Sequence, residues 1–422
     1  MPVRRRHLGV TDVARHVDEH VFGAPRDQAV GIELEWLTLV RGTRDRPSLE
    51  RLGELLAAAQ PVLPRGGLLT MEPGGQLELS TRPYPDAEQA CEAAGTDLFQ
   101  LEQLADSRGI GLIALGSDPV RRPERITTAG RYRAMERFFA RDNPDGQRMM
   151  CNTASIQLNI GLGADDEGLR RRWMLANHLS PTLIAAFANS PLEQGLDTGW
   201  QSSRLKTWWA IDPTRTSPVD LGLDPREAWL AYALDANVML TRVGDHYEPL
   251  DRPLAFGAWL EQGHDRGWPT IDDFSYHLTT LFPPVRPRGW LELRVFDALP
   301  TPFWHVAAAL TTTLLDDPAL APAVASAVRG TEHLWVEASR SGLTHPALAA
   351  SARAVFEIAL RQLNDSDPDG VTEAIVRIYY ERWIEHGRSP ASDQLDTWRR
   401  TGRLLPAAES PIRYVDFEQV IT

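Results

Sequence analysis

The stretch VGIELEWLTLV, Val30–Val40, sets two glutamates two positions apart inside an otherwise apolar run. In a strand successive side chains turn to opposite faces, so Gly31, Glu33, Glu35 and Leu37 share one face. Ile32, Leu34 and Trp36 share the other. Side chains two residues apart along a strand lie ~7 Å from each other, and two carboxylates at that distance repel unless water or cations lie over them. This segment alone allows either a solvated outer face or a face that holds cations.

The pattern recurs. In GGQLELST (Gly74–Thr81) alternation puts Gln76, Glu78 and Ser80 opposite Leu77 and Leu79. GWLELRVF (Gly289–Phe296) puts Trp290, Glu292, Arg294 and Phe296 opposite Leu291, Leu293 and Val295. SIQLNIGLG (Ser155–Gly163) sets Gln157 and Asn159 against Ile156, Leu158 and Ile160. An amphipathic sheet with helices on its apolar side gives such alternation without any function. Solvent-facing strands usually carry Thr, Lys, Arg and Ser of mixed charge, whereas here Glu, Gln and Asn dominate. These are hard oxygen donors of the kind that suit Mg²⁺ or Mn²⁺. Alternation by itself goes no further.

A chain of 422 residues with 43% hydrophobic content buries a large core, in one big domain or two. Its net charge of −13 speaks against nucleic acid and anionic membranes as partners. Among 44 basic residues only Lys206 is a lysine, so anion-binding roles fall to arginine. Cys91 and Cys151 imply no disulfide framework. No run of 18 apolar residues and no signal-peptide pattern is present, so a cytoplasmic location is expected. Helices are predicted over Ser48–Gln60 and Asp86–Gly109, with a turn at Pro73-Gly74-Gly75 between them. Residues 190–222 read as a long loop rich in Trp, Arg, Ser and Pro, and the part from Pro300 to the end as mostly helical. One catalytic domain over 1–422, with its active-site strands within 30–300, is the simplest organisation.

Seven segments in this order, IELEWL, EPGGQLELST, GRYRAM, NTASIQLNI, ANSPLEQG, SSRLKTWW and FPPVRPRGWLELR, resemble the glutamate–cysteine ligases of the plant and bacterial carboxylate–amine ligase type. The actinobacterial branch that serves ergothioneine synthesis is the nearest in pattern. The resemblance runs from about Val30 to Ala298; E-P-G-G-Q-x-E-L-S is its most specific element. It implies an α+β, glutamine-synthetase-like fold, a curved and mainly antiparallel sheet with helices on the convex side. The concave face would bind ATP and Mg²⁺ or Mn²⁺. Glu33 and Glu35 match the first pair of metal carboxylates, Glu78 the third, and Glu292 the one on the last strand. Glu72 falls near a further acidic ligand. Gln157 stands where some members have a metal-binding histidine, which leaves two or three ions open.

The same resemblance implies that L-glutamate, L-cysteine and ATP are the substrates and γ-glutamylcysteine the product. Arg294, on the face of Glu292, is then placed to meet the transferring phosphoryl group, or else makes an ordinary in-strand ion pair. Arg204 matches an arginine that holds the α-carboxylate of glutamate. Arg131 and Tyr132, on a predicted helix, are expected to line the cleft, and Asn152 and Thr153 to flank the cysteine pocket. Two alternatives stand beside this: a ligase of the same fold with another amine acceptor, and a carboxylate-pair glycoside hydrolase. The hydrolase reading leaves both arginines unexplained.

Overall fold

Seven of the alternating runs pair into one sheet in the computed structural model, which describes residues 7–23, 28–141, 144–243, 246–250, 252–367 and 370–405. Its strands are β1 (Val30–Val40), β2 (Leu68–Met71), β3 (Leu77–Ser80), β4 (Ile110–Ile113), β5 (Ser155–Gly161), β6 (Val285–Pro287) and β7 (Trp290–Asp297). They lie in the order β6-β7-β5-β1-β3-β2, and β4 pairs with the far end of β1. Every pairing is antiparallel. Residues 1–6 and 406–422, counted above in the single domain over 1–422, lie outside the described residues.

Side-chain caps start the helices that follow. Ser48 accepts from Arg51 N ahead of α1 (Leu49–Ala59), and Asp86 from Gln89 N ahead of α2 (Ala87–Ser107). Next come α3 (Gly130–Ala140), α4 (Asp145–Asn152) and α5 (Asp166–Ala186), the last capped by Asp165. Beyond them lie α6 (Ser203–Ile211), α7 (Ile271–Leu278), α8 (Trp304–Asp316) and α9 (Pro346–Ser366). Helices α2, α5 and α8 pack on the sheet's apolar side, where Ile32, Leu34, Leu77, Leu79, Ile156, Leu158, Leu291 and Leu293 are buried. Each such side chain contributes about 1.5–3 kcal/mol by leaving water.

Two expectations are corrected. Strict alternation put Phe296 on the polar face, but the register of β7 against β5 shifts between Leu293 and Phe296. Arg294 and Val295 both stand against Gln157, a bulge that turns the strand by one residue. Phe296 therefore faces the apolar side and meets Phe187 edge-on at 5.3 Å, while Asp297 turns to the polar side. Nor is 190–222 a structureless loop. It holds a short hairpin, Leu192–Glu193 with Leu196–Asp197, then α6 and the turn of helix Pro213–Thr216. Ser202 accepts from Leu205 N and so starts α6, a cap hidden among the surrounding polar residues.

A second, smaller apolar cluster lies over the polar side. Ala134, Met135, Phe138, Met149, Met150, Ile211 and Met239 form it, with Tyr132, Trp208, Tyr276 and Phe282 packed against it. The turn in E-P-G-G-Q joins the sheet to this cluster. Gln76 Nε2 donates to the carbonyls of Thr153 (2.9 Å) and Met150 (3.3 Å), and Gly74 N donates to Gln76 Oε1 at 3.0 Å. A Cβ at Gly74 would lie 2.2 Å from the Cys151 carbonyl oxygen, a backbone atom that cannot step aside. Gly74→Ala should therefore destabilise the fold by about 2 kcal/mol or more. Gly53→Ala, in α1 with nothing within 4 Å, should instead be neutral or stabilising by up to about 1 kcal/mol. Urea unfolding of the two variants checks the contrast, and equal effects would contradict it.

Candidate active site

Sheet register brings the polar side chains into rows. Glu35 stands opposite Glu78, Glu33 opposite both Gln157 and Ser80, and Asn159 opposite both Glu292 and Gly31. Glu72, just beyond β2, joins the same group, since its charge acts on Glu35 and Glu78. Each carboxylate has some local donors. Glu35 accepts from Ser155 N (2.7 Å) and Gln157 Nε2 (3.0 Å), and Glu33 from Asn159 Nδ2 (3.0 Å). Glu78 Oε1 accepts from Thr70 and Ser80 hydroxyls at 3.1 and 3.2 Å. No described residue donates to the other oxygen of Glu33 or Glu78, or to either oxygen of Glu72.

The four carboxylates are half-buried, so β1 does not present an ordinary, fully solvated outer face. Burial, then the charges of Glu292 and Glu78, pushes Glu33 up to about 7. Burial and Glu35 raise Glu78 to about 7. Burial, Glu78 and Glu35 raise Glu72 to about 8, and burial also raises Glu35. Desolvation and mutual repulsion both favour the protonated forms of this group.

Glu292 behaves in the opposite way. It is fully buried, and burial alone would raise it, but three guanidiniums overturn this and hold it down at about 2. Arg286 grips it with both Nε and Nη2, the latter at 2.8 Å; Arg288 lies at 3.3 Å and Arg294 at 3.5 Å. Arg294 also donates to Gln157 Oε1, and its guanidinium lies against the edge-on pair of Trp208 (5.4 Å) and Phe282 (5.5 Å). Glu292 and Gln157, both expected as metal ligands, have protein partners in this structure. Glu292 already has its charge partners, and the Gln157 amide is used at both ends, bridging Arg294 to Glu35.

Arg204 is buried beneath this group. Its Nη2 donates to the Arg294 carbonyl at 2.7 Å, and Nη1, 3.7 Å from Asp297, has no hydrogen-bond acceptor. Asp297 accepts from Asn189 N and the Ser190 hydroxyl on Oδ2 and from the Ser202 hydroxyl on Oδ1. On α3, Arg131 lies over the Tyr276 ring at 5.7 Å and acts on the charge of Glu72; Tyr132 feels Glu72 and Glu78. Asn152 and Thr153 have structural tasks instead. Asn152 bridges Arg46 and the Arg121 carbonyl, and Thr153 Oγ1 donates to the Met149 carbonyl at 2.7 Å. Sequence reading missed Arg286, Arg288 and Asp297. One signal was available for the first two. A turn at Arg288-Gly289 in VRPRGWLE folds Arg286 back opposite Glu292.

Among the described residues no three acidic, His or Cys side chains converge closely enough to hold a metal ion by themselves. The row Glu33, Glu35, Glu72 and Glu78 is open, with unused oxygens and uncompensated charge. Mg²⁺ is bound in that manner, by one or two carboxylates with waters or phosphate oxygens completing the shell.

Comparison with known proteins agrees with this geometry. The fold is shared with the glutamate–cysteine ligase of Francisella tularensis, solved in complex with AMP, at a TM-score of 0.52 and 14% identity. That match covers 89% of this chain and 86% of that one, and bears out the α+β, glutamine-synthetase-like class. The model of glutamate–cysteine ligase family 2 matches residues 29–410, and the chain belongs to that family of ligases. It is 40% identical over 376 residues to the glutamate–cysteine ligase EgtA of Mycolicibacterium smegmatis, covering 87% of this chain and 86% of that protein. The EgtA of Mycobacterium tuberculosis H37Rv is 38% identical over 359 residues, covering 83% and 81%. Membership in a ligase family sets the hydrolase alternative aside.

The raised carboxylates make a pH prediction for metal-free protein. Their ordinary value is 4.5, so between there and about 8 the folded chain holds protons that the unfolded chain has released. Stability then falls as pH rises through this window. Glu72→Gln should raise the melting temperature at about pH 8.5 and flatten the decline from about pH 5.5. Calorimetry in chelator measures both, and a melting temperature that climbs across that range would contradict the assignment.

Proposed function

We propose that this ligase joins the γ-carboxylate of L-glutamate to the amino group of L-cysteine at the expense of ATP, forming γ-glutamylcysteine. Ergothioneine synthesis, implied by the motif resemblance, is the route it would supply, from a single catalytic domain in the cytoplasm. The observation that carries the reading is the open carboxylate row on β1 and β3, with Arg294 beside it, held against the Trp208–Phe282 ring pair.

Each step assigns a task to residues of this chain. Arg204 Nη1 is a buried donor in want of an acceptor, and the α-carboxylate of glutamate supplies one. The γ-carboxylate oxygen then attacks the terminal phosphorus of ATP, and ADP leaves. Such transfer is mostly positioning and charge neutralisation. Arg294, whose plane is fixed by Trp208, Phe282 and Gln157, meets the charge on the moving phosphoryl oxygens. A divalent cation held by Glu33, Glu35, Glu72 and Glu78 would offset the remaining phosphate charge. The cysteine nitrogen attacks the acyl phosphate carbon, phosphate departs, and the amide remains. Arg131 and Tyr132, beside Glu72, line the acceptor side in this reading. Asn152 and Thr153 shape that side from behind, through Arg46 and the end of α4.

Two measurements test this. ADP release should require glutamate, cysteine and Mg²⁺ or Mn²⁺ together, stop in EDTA, and yield a γ-linked dipeptide by mass spectrometry. An α-linked product, or turnover indifferent to chelator, would overturn the proposal, and faster turnover with another amine would reassign the acceptor.

The two arginines should fail differently. Arg294→Ala should lower kcat by about 10²–10³-fold, with a smaller change in KM for glutamate. Arg204→Lys keeps a charge beside Asp297 but not the planar fork, and should raise KM for glutamate about tenfold with kcat less affected. Steady-state kinetics at saturating ATP and cysteine separate the two, and the same defect in both variants would show the roles to be misassigned.

A further inference from the structure

The polar face is electrically lopsided. On the β1–β3 side Glu33, Glu35, Glu72 and Glu78 accumulate negative charge, whereas on β6 and β7 Arg286, Arg288 and Arg294 surround the single carboxylate of Glu292. A polyphosphate is drawn to the second side. Following β7 away from Arg294, the same face passes Glu292 and ends at Trp290, four residues or ~13 Å along the strand. That is the reach of an extended triphosphate and ribose.

Trp290 is 38% exposed, an unusual state for a large ring on the inner face of a sheet. It is nevertheless fixed. Its indole Nε1 donates to Asn159 Oδ1 at 2.8 Å, and Asn159 Nδ2 in turn donates to Glu33. Its carbonyl accepts from Arg288 N at 2.8 Å, and Gly289 N, in the left-handed region at φ 87°, donates to the Val21 carbonyl at 2.8 Å. Arg288, itself half exposed, stacks on the indole with its Cζ 5.6 Å from the ring centroid. Next to Asn159 the sheet position on β1 is Gly31, which adds no side chain; even a Cβ there would come no closer than 3.5 Å to any neighbour. The result is a pinned, partly bare aromatic plane beside a sheet position that carries no side chain, at the cationic end of the site.

We propose that Trp290 is the platform on which the nucleotide base stacks, with Arg288 directing the phosphates from it toward Arg294. This rests on the ATP-dependent reading above and adds the residue that recognises the nucleoside. Stacking on an aromatic ring needs no particular base edge, so Trp290 supplies affinity for the base and not discrimination among purines.

Calorimetric titration of ADP, and separately of inorganic tripolyphosphate, into parent, Trp290→Ala and Trp290→Phe proteins with Mg²⁺ tests the proposal. Trp290→Ala should weaken ADP roughly tenfold or more, as loss of one stacked base does. Its tripolyphosphate affinity should stay within about twofold of the parent, and Trp290→Phe should keep ADP within about threefold of it, because the phenyl ring still stacks. In kinetics KM for ATP should rise while KM for glutamate holds. Unchanged ADP affinity in Trp290→Ala, an equal loss for tripolyphosphate, or a Trp290→Phe loss as large as that of alanine would each overturn the platform. A parent protein that binds no ADP would instead overturn the ligase reading itself.

Discussion

Four carboxylates gathered on one half-buried sheet face are the constraint from which the rest of the structure follows. Glu33, Glu35, Glu72 and Glu78 are pushed toward the protonated form by burial and by one another. A face with such charge cannot be an ordinary solvated surface once α3, α4 and the aromatics around Trp208 close over it. Its energy is tolerable only with protons, cations or substrate present. Arg294 lowers all four without undoing the effect of burial, while Arg286 and Arg288 are committed to Glu292. Negative and positive groups are thus kept on opposite sides of β5, and a phosphoryl group between them would meet both.

Rigidity at the site comes from groups that carry no chemistry themselves. The Gln157 amide ties Glu35 to Arg294 across two strand pairs, a neutral link where a histidine would add a titrating one. The bulge in β7 aims Arg294 at Gln157 and returns Phe296 to the core. Asp297, turned inward by that same bulge, collects Ser190, Ser202 and Asn189, and with them the start of α6 that carries Arg204. One irregular residue in a strand therefore sets the positions of two arginines.

The apolar sheet face with its helices supplies most of the burial, while the smaller cluster over the polar face governs access. Its rings are shared with the site: Trp208 and Phe282 hold Arg294, and Tyr276 holds Arg131. Motion of α3 relative to the sheet would therefore move Arg131 and Tyr132 over Glu72, on the side assigned here to the amine acceptor. Fold and chemistry are coupled most tightly in that layer.

Alternation in VGIELEWLTLV, GGQLELST, SIQLNIGLG and GWLELRVF was sufficient to place the carboxylates on one face, because period-two geometry is local and Ile, Leu and Trp leave no choice of inner side. Helix starts at Ser48 and Asp86 were legible for the same reason, as a cap needs only the next three residues. Long-range partners were not. That Gln157 spends its oxygen on Arg294, that Arg286 and Arg288 claim Glu292, and that Asn152 serves Arg46 all depend on strand order and register, which no single segment contains. The bulge at Arg294–Val295 broke the alternation where it mattered most, since an extra residue is fixed by pairing with β5 and leaves no mark in composition. Whether a carboxylate is a free ligand or a buried counter-ion is decided by what lies across the sheet from it, and only the tertiary structure supplies that neighbour.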